Sequence, residues 1–157
     1  IAYDLLFLIP PSLVSKKTTN GKEIREFSLY KDYFDKGIKL WDGSNTEIRS
    51  EYSISTDEHR VIQYDSSRGL EGWAVFCLNF DEFVQYKKNS YKEDMDNDLV
   101  LASLKEKADK FAYTWALIPL TRAIDTLVIT IKDPTSEFSR KLYELYQENQ
   151  DFVEWIE

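Results

Sequence analysis

The chain has 157 residues, of which 43% are hydrophobic and 15% aromatic, and this composition is enough for the buried core of one domain. Its 20 Lys and Arg residues against 28 Asp and Glu residues give a formal net charge of −8. That charge excludes a protein that binds nucleic acid through an overall basic surface, so any such contact must be local. No apolar run approaches the roughly 20 residues that span a bilayer, and we expect no membrane partner.

We do not interpret the start of this sequence as a signal peptide. The apolar run Leu5–Ile9 has no positively charged region before it and ends at a double proline, unlike a signal peptide. The single cysteine, Cys77, lies in an apolar run and cannot form an internal disulfide, which suits a reducing compartment. We therefore predict a cytoplasmic protein. Because the first residue is Ile1 rather than Met, we interpret the chain as a fragment of a longer polypeptide.

The hydrophobic pattern predicts strands alternating with helices. Short apolar or β-branched runs predict strands, the first of them central and parallel, at residues 5–9, 38–41, 60–64, 73–78 and 126–131. Apolar residues at helical spacing predict helices at residues 23–36, at 99–117, and in one or two segments after 136. Polar segments predict a turn at 16–21, a loop at 44–58 with an extended piece at 52–54, and a mobile acidic segment at 79–98.

This alternation indicates an α/β layered fold with a mainly parallel sheet. No internal repeat, flexible linker or low-complexity segment divides the chain, so we assign residues 1–157 to one domain. Its core extends to about residue 132, and the terminal helices occupy about 136–157.

Several common catalytic motifs are absent from the sequence. It has no Gly-x-x-x-x-Gly-Lys-Ser/Thr phosphate loop, no Gly-x-Gly-x-x-Gly after a strand, and no His/Cys cluster with metal-ligand spacing. We therefore predict no metal site in this chain. The only histidine, His59, has no marked catalytic partner, and we interpret it as a solvated loop residue.

Residues 65–72, Asp-Ser-Ser-Arg-Gly-Leu-Glu-Gly, lie between two predicted strands and are called the Arg68 segment below. Gly69 lets the backbone approach a ligand closely, while Arg68 and Glu71 supply opposite charges at fixed offsets. Taken alone, the pattern equally indicates a turn with a surface ion pair.

Residues 121–123, Thr-Arg-Ala, directly precede the last predicted strand and are called the Arg122 segment. Arg122 follows a helix that Pro119 kinks or ends, and from there its side chain could reach a neighbouring surface. Covering the end of its own helix is an equally good interpretation of the residue alone.

Together, the two segments resemble motifs V and VI of the UvrD/Rep-type superfamily 1 helicases. Residues 63–75, with Arg-Gly-Leu-Glu ahead of a hydrophobic strand, are similar to motif V, and residues 115–127, with Thr-Arg-Ala ahead of a strand, are similar to motif VI. The resemblance implies a RecA-like (P-loop NTPase-like) three-layer fold. It implies the second motor lobe, which lacks its own P-loop and faces an N-terminal RecA-like lobe of the same parent chain.

The resemblance also implies which residues meet the nucleotide. ATP would bind between the lobes, with its Mg²⁺ held by the first lobe. Arg122 would be the catalytic arginine finger on the γ-phosphate, Glu71 would contact the ribose, and Gly69 would belong to the same nucleotide site. We expect the two segments at one edge of the sheet, at the carboxyl ends of its strands.

A second set of residues would meet nucleic acid. By the same resemblance, Ser66, Ser67 and Arg68 would lie near the backbone of single-stranded DNA, or would couple it to the nucleotide site. RNA is left open as the partner.

Two positions depart from the family pattern. Asp65 stands where the family usually has histidine, and its charge would repel a phosphate. The first predicted strand ends at Pro10, where the family usually has an arginine; either Lys16 or Lys17 substitutes, or hydrolysis uses one arginine fewer. These departures motivate an alternative, a catalytically inactive helicase-like lobe that binds or regulates. A free-standing small-molecule binder is a third hypothesis, which leaves the paired motifs unexplained.

Overall fold

The computed structural model describes residues 5–19, 21–51, 55–92 and 103–156. Its strands are β1 Leu5–Ile9, β2 Val14–Thr19, β3 Lys22–Phe27, β4 Leu40–Asp42, β5 His59–Gln63, β6 Gly72–Cys77 and β7 Ala123–Ile129. Its helices are α1 Tyr30–Asp35, α2 Phe80–Ser90, α3 Leu104–Leu120 and α4 Glu137–Glu148. Five strands form one sheet in the order β4-β5-β1-β6-β7, and β2 and β3 form a separate hairpin.

β1 is the central strand, as its continuous apolar sequence predicts. It pairs in parallel with β5 on one side and with β6 on the other. Residues 6–9 are all buried, because layers on both faces of the sheet cover them.

The two faces of the sheet carry different layers. On one face, α2 and α3 pack through Phe83, Val84 and Ala112, and Phe138 of α4 joins this core. On the other face, the hairpin and α1 pack through Phe27 and neighbouring aromatic residues. The structure is therefore a three-layer α/β fold with a parallel central sheet, which confirms the predicted fold class and is compatible with a RecA-like fold.

The predictions for residues 16–21 and 23–36 were largely wrong. Most of these residues form the β2–β3 hairpin, and only Tyr30–Asp35 is helical. Cross-strand pairing prevails over the helical spacing, since Lys17 pairs with Glu26 at 2.6 Å and Phe27 is buried against the sheet. Gly37 follows α1 with a φ of +79°, as expected after a helix end.

The prediction of a mobile acidic segment at 79–98 was wrong for its first part, which forms α2. Phe80, Phe83 and Val84 are all buried on one face of this helix. Their i, i+3, i+4 spacing is a helical signal that the surrounding acidic and basic residues obscured. Residues 93–98, and the extended piece predicted at 52–54, lie outside the described residues.

The predicted helix at 99–117 corresponds to α3, whose described part begins after the N-cap Ser103. The Ser103 hydroxyl accepts a hydrogen bond from the Glu106 N–H, and a Glu106 carboxylate oxygen accepts one from the Ser103 N–H. Pro119 lies inside the last turn rather than ending the helix before it. Among the described residues, no helix combines the length and apolar character needed to cross a membrane.

Candidate functional site: the Arg68 and Arg122 segments

The Arg68 segment crosses from the end of β5 to the start of β6 and begins in a short 3₁₀ turn, Tyr64–Ser66. Ser67 is fully buried, and both its N–H and its hydroxyl donate hydrogen bonds to the carbonyl oxygen of Tyr64, at 3.2 and 2.8 Å. The Ser67 hydroxyl is thus used inside the fold. Ser66 is only partly buried, so of the two predicted serines it is the one nearer to solvent.

Gly69 gives the segment its turn. Its φ is +76°, and an added Cβ would meet nothing within 4 Å. Backbone conformation rather than space is therefore the reason for glycine here. The turn lets the Leu70 N–H donate to the Ser67 carbonyl oxygen at 3.2 Å and leaves Glu71 exposed at the start of β6.

The structure brings the Arg68 and Arg122 segments together. Nη1 of Arg122 lies 3.4 Å from the carbonyl oxygen of Leu70, and the Gly72 N–H donates to the carbonyl oxygen of Arg122 at 3.1 Å. The prediction of a shared edge is confirmed, but the prediction of the carboxyl ends of the strands was wrong. Gly69 and Glu71 precede β6 and the Arg122 segment precedes β7, so the junction lies at the amino ends of β6 and β7, whereas the first residues of the Arg68 segment follow β5 at the opposite edge.

Arg122 also closes the end of α3. Its Nε donates to the carbonyl oxygen of Ile118 at 2.9 Å, and its Nη2 donates to the Thr121 hydroxyl at 2.9 Å. The side chain therefore covers its own helix end, as the structural interpretation predicted. A guanidinium has five N–H donors, and the three hydrogen bonds within the described residues leave two for a ligand.

Arg68 is exposed to solvent, but its side chain is held in place by a stacking contact. Its guanidinium carbon lies 4.7 Å from the ring centroid of Trp115, a half-buried residue of α3. Stacking on an indole face restricts the guanidinium plane while leaving N–H groups free to bind. The predicted nucleic-acid residue is thus held against a helix.

Asp65 has a partner that sequence reasoning missed. Nζ of Lys87, on α2, lies 2.6 Å from Oδ1 of Asp65 and 3.8 Å from the ring centroid of Trp115. Lys87 is only 7% exposed, so the pair neutralises an ammonium group that is almost fully buried. Asp65 therefore does not present an unpaired negative charge.

Arg60 also contacts the Arg68 segment, because its Nη2 donates to the carbonyl oxygen of Glu71 at 2.5 Å. Arg60, Arg68 and Arg122 thus lie along the two segments, beside the ion pair of Lys87 and Asp65. Guanidinium groups are the kind of side chain that a local contact with phosphate requires in an acidic chain.

Neither Lys16 nor Lys17 replaces the arginine missing after β1. Both lie on the hairpin, where they pair with Glu23 at 3.6 Å and Glu26 at 2.6 Å. The hairpin covers the sheet face opposite to α3, so neither lysine lies beside Arg122.

A separate cavity of about 390 Å³ lies at the carboxyl ends of β6 and β7, between the start of α2 and the start of α4. Its lining includes Glu82 and Lys132, whose Oε1 and Nζ are 3.1 Å apart, and Lys88, which pairs with Asp109 at 2.6 Å. No predicted site residue lines it. Both of its lining lysines are paired with carboxylates within the described residues, which leaves no unpaired lysine in the lining to attract an anionic ligand.

The sequence offered little signal for Lys87 and Trp115. Trp115 fitted the apolar stripe of a helix, and Lys87 stood in the acidic segment predicted to be mobile. His59, predicted to be a solvated loop residue, instead begins β5, and its Nδ1 accepts a hydrogen bond from the Leu5 N–H at 3.4 Å. Only the folded structure reveals these partners.

Within the described residues, no group of three or more His, Cys, Asp or Glu side chains is placed to hold a metal ion.

Comparison with protein-family models, with curated proteins and with solved structures gives no match to this chain.

Proposed function

We propose that this chain is the second motor lobe of a cytoplasmic, ATP-dependent superfamily 1 DNA helicase or translocase. The observation that carries the proposal is the junction of the two segments, in which Arg122 bonds to Leu70 and keeps two N–H donors for a ligand. An arginine held by the fold with two N–H donors remaining, beside an exposed acidic residue and a glycine turn, suits a nucleotide held against this edge of the sheet.

ATP is the substrate, and this chain would complete its site. Arg122 would place its remaining N–H groups on the γ-phosphate, where negative charge develops during transfer. Its bonds to Ile118 and Leu70 fix the guanidinium beforehand, so little ordering is needed at the moment of reaction. Glu71 would accept hydrogen bonds from the ribose hydroxyls. A first lobe of the parent chain would supply the phosphate loop and the carboxylates for Mg²⁺.

Single-stranded DNA would bind through Arg68 and the surface of Ser66. Arg68 and Leu70 are two residues apart, and the carbonyl oxygen of Leu70 bonds to Arg122. A movement of the Arg68 segment when DNA binds would therefore be transmitted directly to Arg122 in the nucleotide site. Closure of the two lobes on ATP and reopening after hydrolysis would then move the protein along one strand.

The test uses a polypeptide that joins this lobe to its phosphate-loop lobe. ATP hydrolysis is measured with and without a single-stranded oligonucleotide, for the parent protein and for Arg122→Ala. Arg140→Ala is the matched control, since Arg140 is exposed on α4 outside the two segments. The proposal expects DNA-stimulated hydrolysis that Arg122→Ala abolishes and Arg140→Ala preserves. Equal hydrolysis by both variants contradicts it.

The three internal hydrogen bonds of Arg122 favour a second candidate, an inactive helicase-like lobe that binds or regulates. Here Arg122 acts only as a helix cap that holds the Arg68 segment. The same polypeptide would then bind single-stranded DNA without hydrolysing ATP, and Arg122→Ala would lower only the melting temperature.

A further inference from the structure

We infer that Lys87 is a positioning residue, which holds the Arg68 segment in its DNA-binding conformation through Asp65 and Trp115. The inference rests on the proposed function and adds a residue outside both segments. It starts from two contacts, the ion pair of 2.6 Å between Lys87 Nζ and Asp65 Oδ1 and the contact of 3.8 Å between Nζ and the Trp115 ring.

The burial of the pair is asymmetric. The side chain of Lys87 is 8% exposed, whereas that of Asp65 is 46% exposed. A surface carboxylate loses little by staying in water, but a buried ammonium without a partner is costly. Lys87 is therefore the residue that requires the ion pair. This requirement holds Asp65, and the turn to which Asp65 belongs, against α2.

Arg68, three residues later, is held by the same indole. Its guanidinium carbon lies 4.7 Å from the Trp115 ring centroid, so Lys87 and Arg68 share one aromatic platform. Ser67, between the two contacts, is buried and bonded to Tyr64. Residues 65–68 are thus held at Asp65, Ser67 and Arg68, and releasing Asp65 would free Arg68 to leave the position in which it meets a phosphate.

The experiment measures the affinity of this chain for a fluorescent single-stranded oligothymidine at low ionic strength, where weak phosphate contacts are detectable. The variants are Lys87→Met, which keeps the unbranched stem, and Asp65→Asn, which keeps the shape of the side chain. Lys88→Met is the control for Lys87→Met, because it removes the same charge one residue away, where Lys88 pairs with Asp109. Circular dichroism verifies that each variant is folded at the temperature used.

Asp65→Asn separates positioning from simple charge. It removes a negative charge, so charge alone predicts tighter binding to a polyanion, whereas positioning predicts weaker binding. We expect Lys87→Met and Asp65→Asn each to raise the dissociation constant about fivefold, and Lys88→Met to change it less than twofold. In an Arg68→Ala background both variants should have no further effect, because they act through Arg68.

Three results overturn the inference. They are tighter binding by Asp65→Asn, equal effects of Lys87→Met and Lys88→Met, and a Lys87→Met protein that melts at a lower temperature but binds normally when folded. If Arg68→Ala itself leaves affinity unchanged, the proposed role of Arg68 fails, and the inference fails with it. If Arg68→Ala weakens binding and Lys87→Met does not, only the inference fails.

Discussion

Nη1 of Arg122 lies 3.4 Å from the carbonyl oxygen of Leu70, so a residue proposed to meet the nucleotide is bonded to the segment proposed to meet DNA. The two residues are 52 positions apart in the chain. Pairing of Gly72 with Ala123 at the start of β6 and β7 brings them together. This arrangement gives the proposed motor lobe a direct route between its two ligands.

Arg122→Lys should separate the charge of Arg122 from its geometry. In the two-lobe polypeptide, Arg122→Ala should lower the turnover of ATP by roughly 10³- to 10⁵-fold. Arg122→Lys should recover only part of that loss, because a compact ammonium cannot reproduce the planar, spaced donors with which Arg122 bonds Ile118 and Leu70. Steady-state kinetics and binding of a fluorescent ATP analogue measure the two effects, and binding should weaken far less than turnover. Hydrolysis by Arg122→Ala within a few-fold of the parent protein would refute the arginine-finger role.

The chain alone should not hydrolyse ATP, because its sequence has no phosphate loop. Its affinity for single-stranded DNA should also be weak at near-physiological salt, since the net charge of −8 opposes binding to phosphates. A phosphate-release assay and an anisotropy titration measure the two properties. Turnover that Arg122→Ala abolishes, or a submicromolar dissociation constant, would show that the site does not depend on a second lobe.

Gly69→Ala tests the conformation of the Arg68 segment against a matched glycine. Gly69 and Gly37 have φ values of +76° and +79°, and an added Cβ at either would meet nothing within 4 Å. Each substitution to alanine should therefore lower the free energy of unfolding by about 1 kcal/mol, the usual cost of a left-handed non-glycine residue. Urea denaturation measures that cost. Only Gly69→Ala should also weaken the binding of single-stranded DNA. If Gly37→Ala lowered this affinity equally, the Gly69 turn would have no specific role in binding DNA.

Cys77 should be inert in the folded protein. It is fully buried on β6, and burial raises the pKa of its thiol to about 12, although a hydrogen bond with Tyr64 opposes the shift. A thiol reagent at pH 8 should react slowly with the native chain and rapidly in denaturant. Because the pKa is higher in the folded state, the contribution of the thiol to stability is complete below its ordinary pKa and falls as the pH rises toward 12. Cys77→Ser should remove the part of the loss of stability at alkaline pH that comes from the thiol. If the free energy of unfolding depended on pH in the same way in this variant, the loss would come from other groups.

The sequence by itself determined the parallel core of the fold. Strand β1 is a continuous apolar run, and burial on both faces of a sheet demands that pattern. It also marked Gly69 and Arg122, because a turn glycine and an isolated arginine ahead of a strand stand out locally. Val75 and Cys77 on β6 are fully buried, in keeping with the apolar run in which they lie.

Tertiary structure alone decided the remaining features, because they depend on residues far apart in the chain. Residues 22–27 have a helical spacing, yet pairing with β2 makes them a strand. The acidic residues of α2 conceal an apolar face that only packing against the sheet reveals. Asp65 pairs with Lys87, and the side chains of Lys87 and Arg68 both pack against Trp115. These contacts join a loop to two helices. Local sequence cannot specify such contacts, because their free energy arises only when distant segments are already folded together.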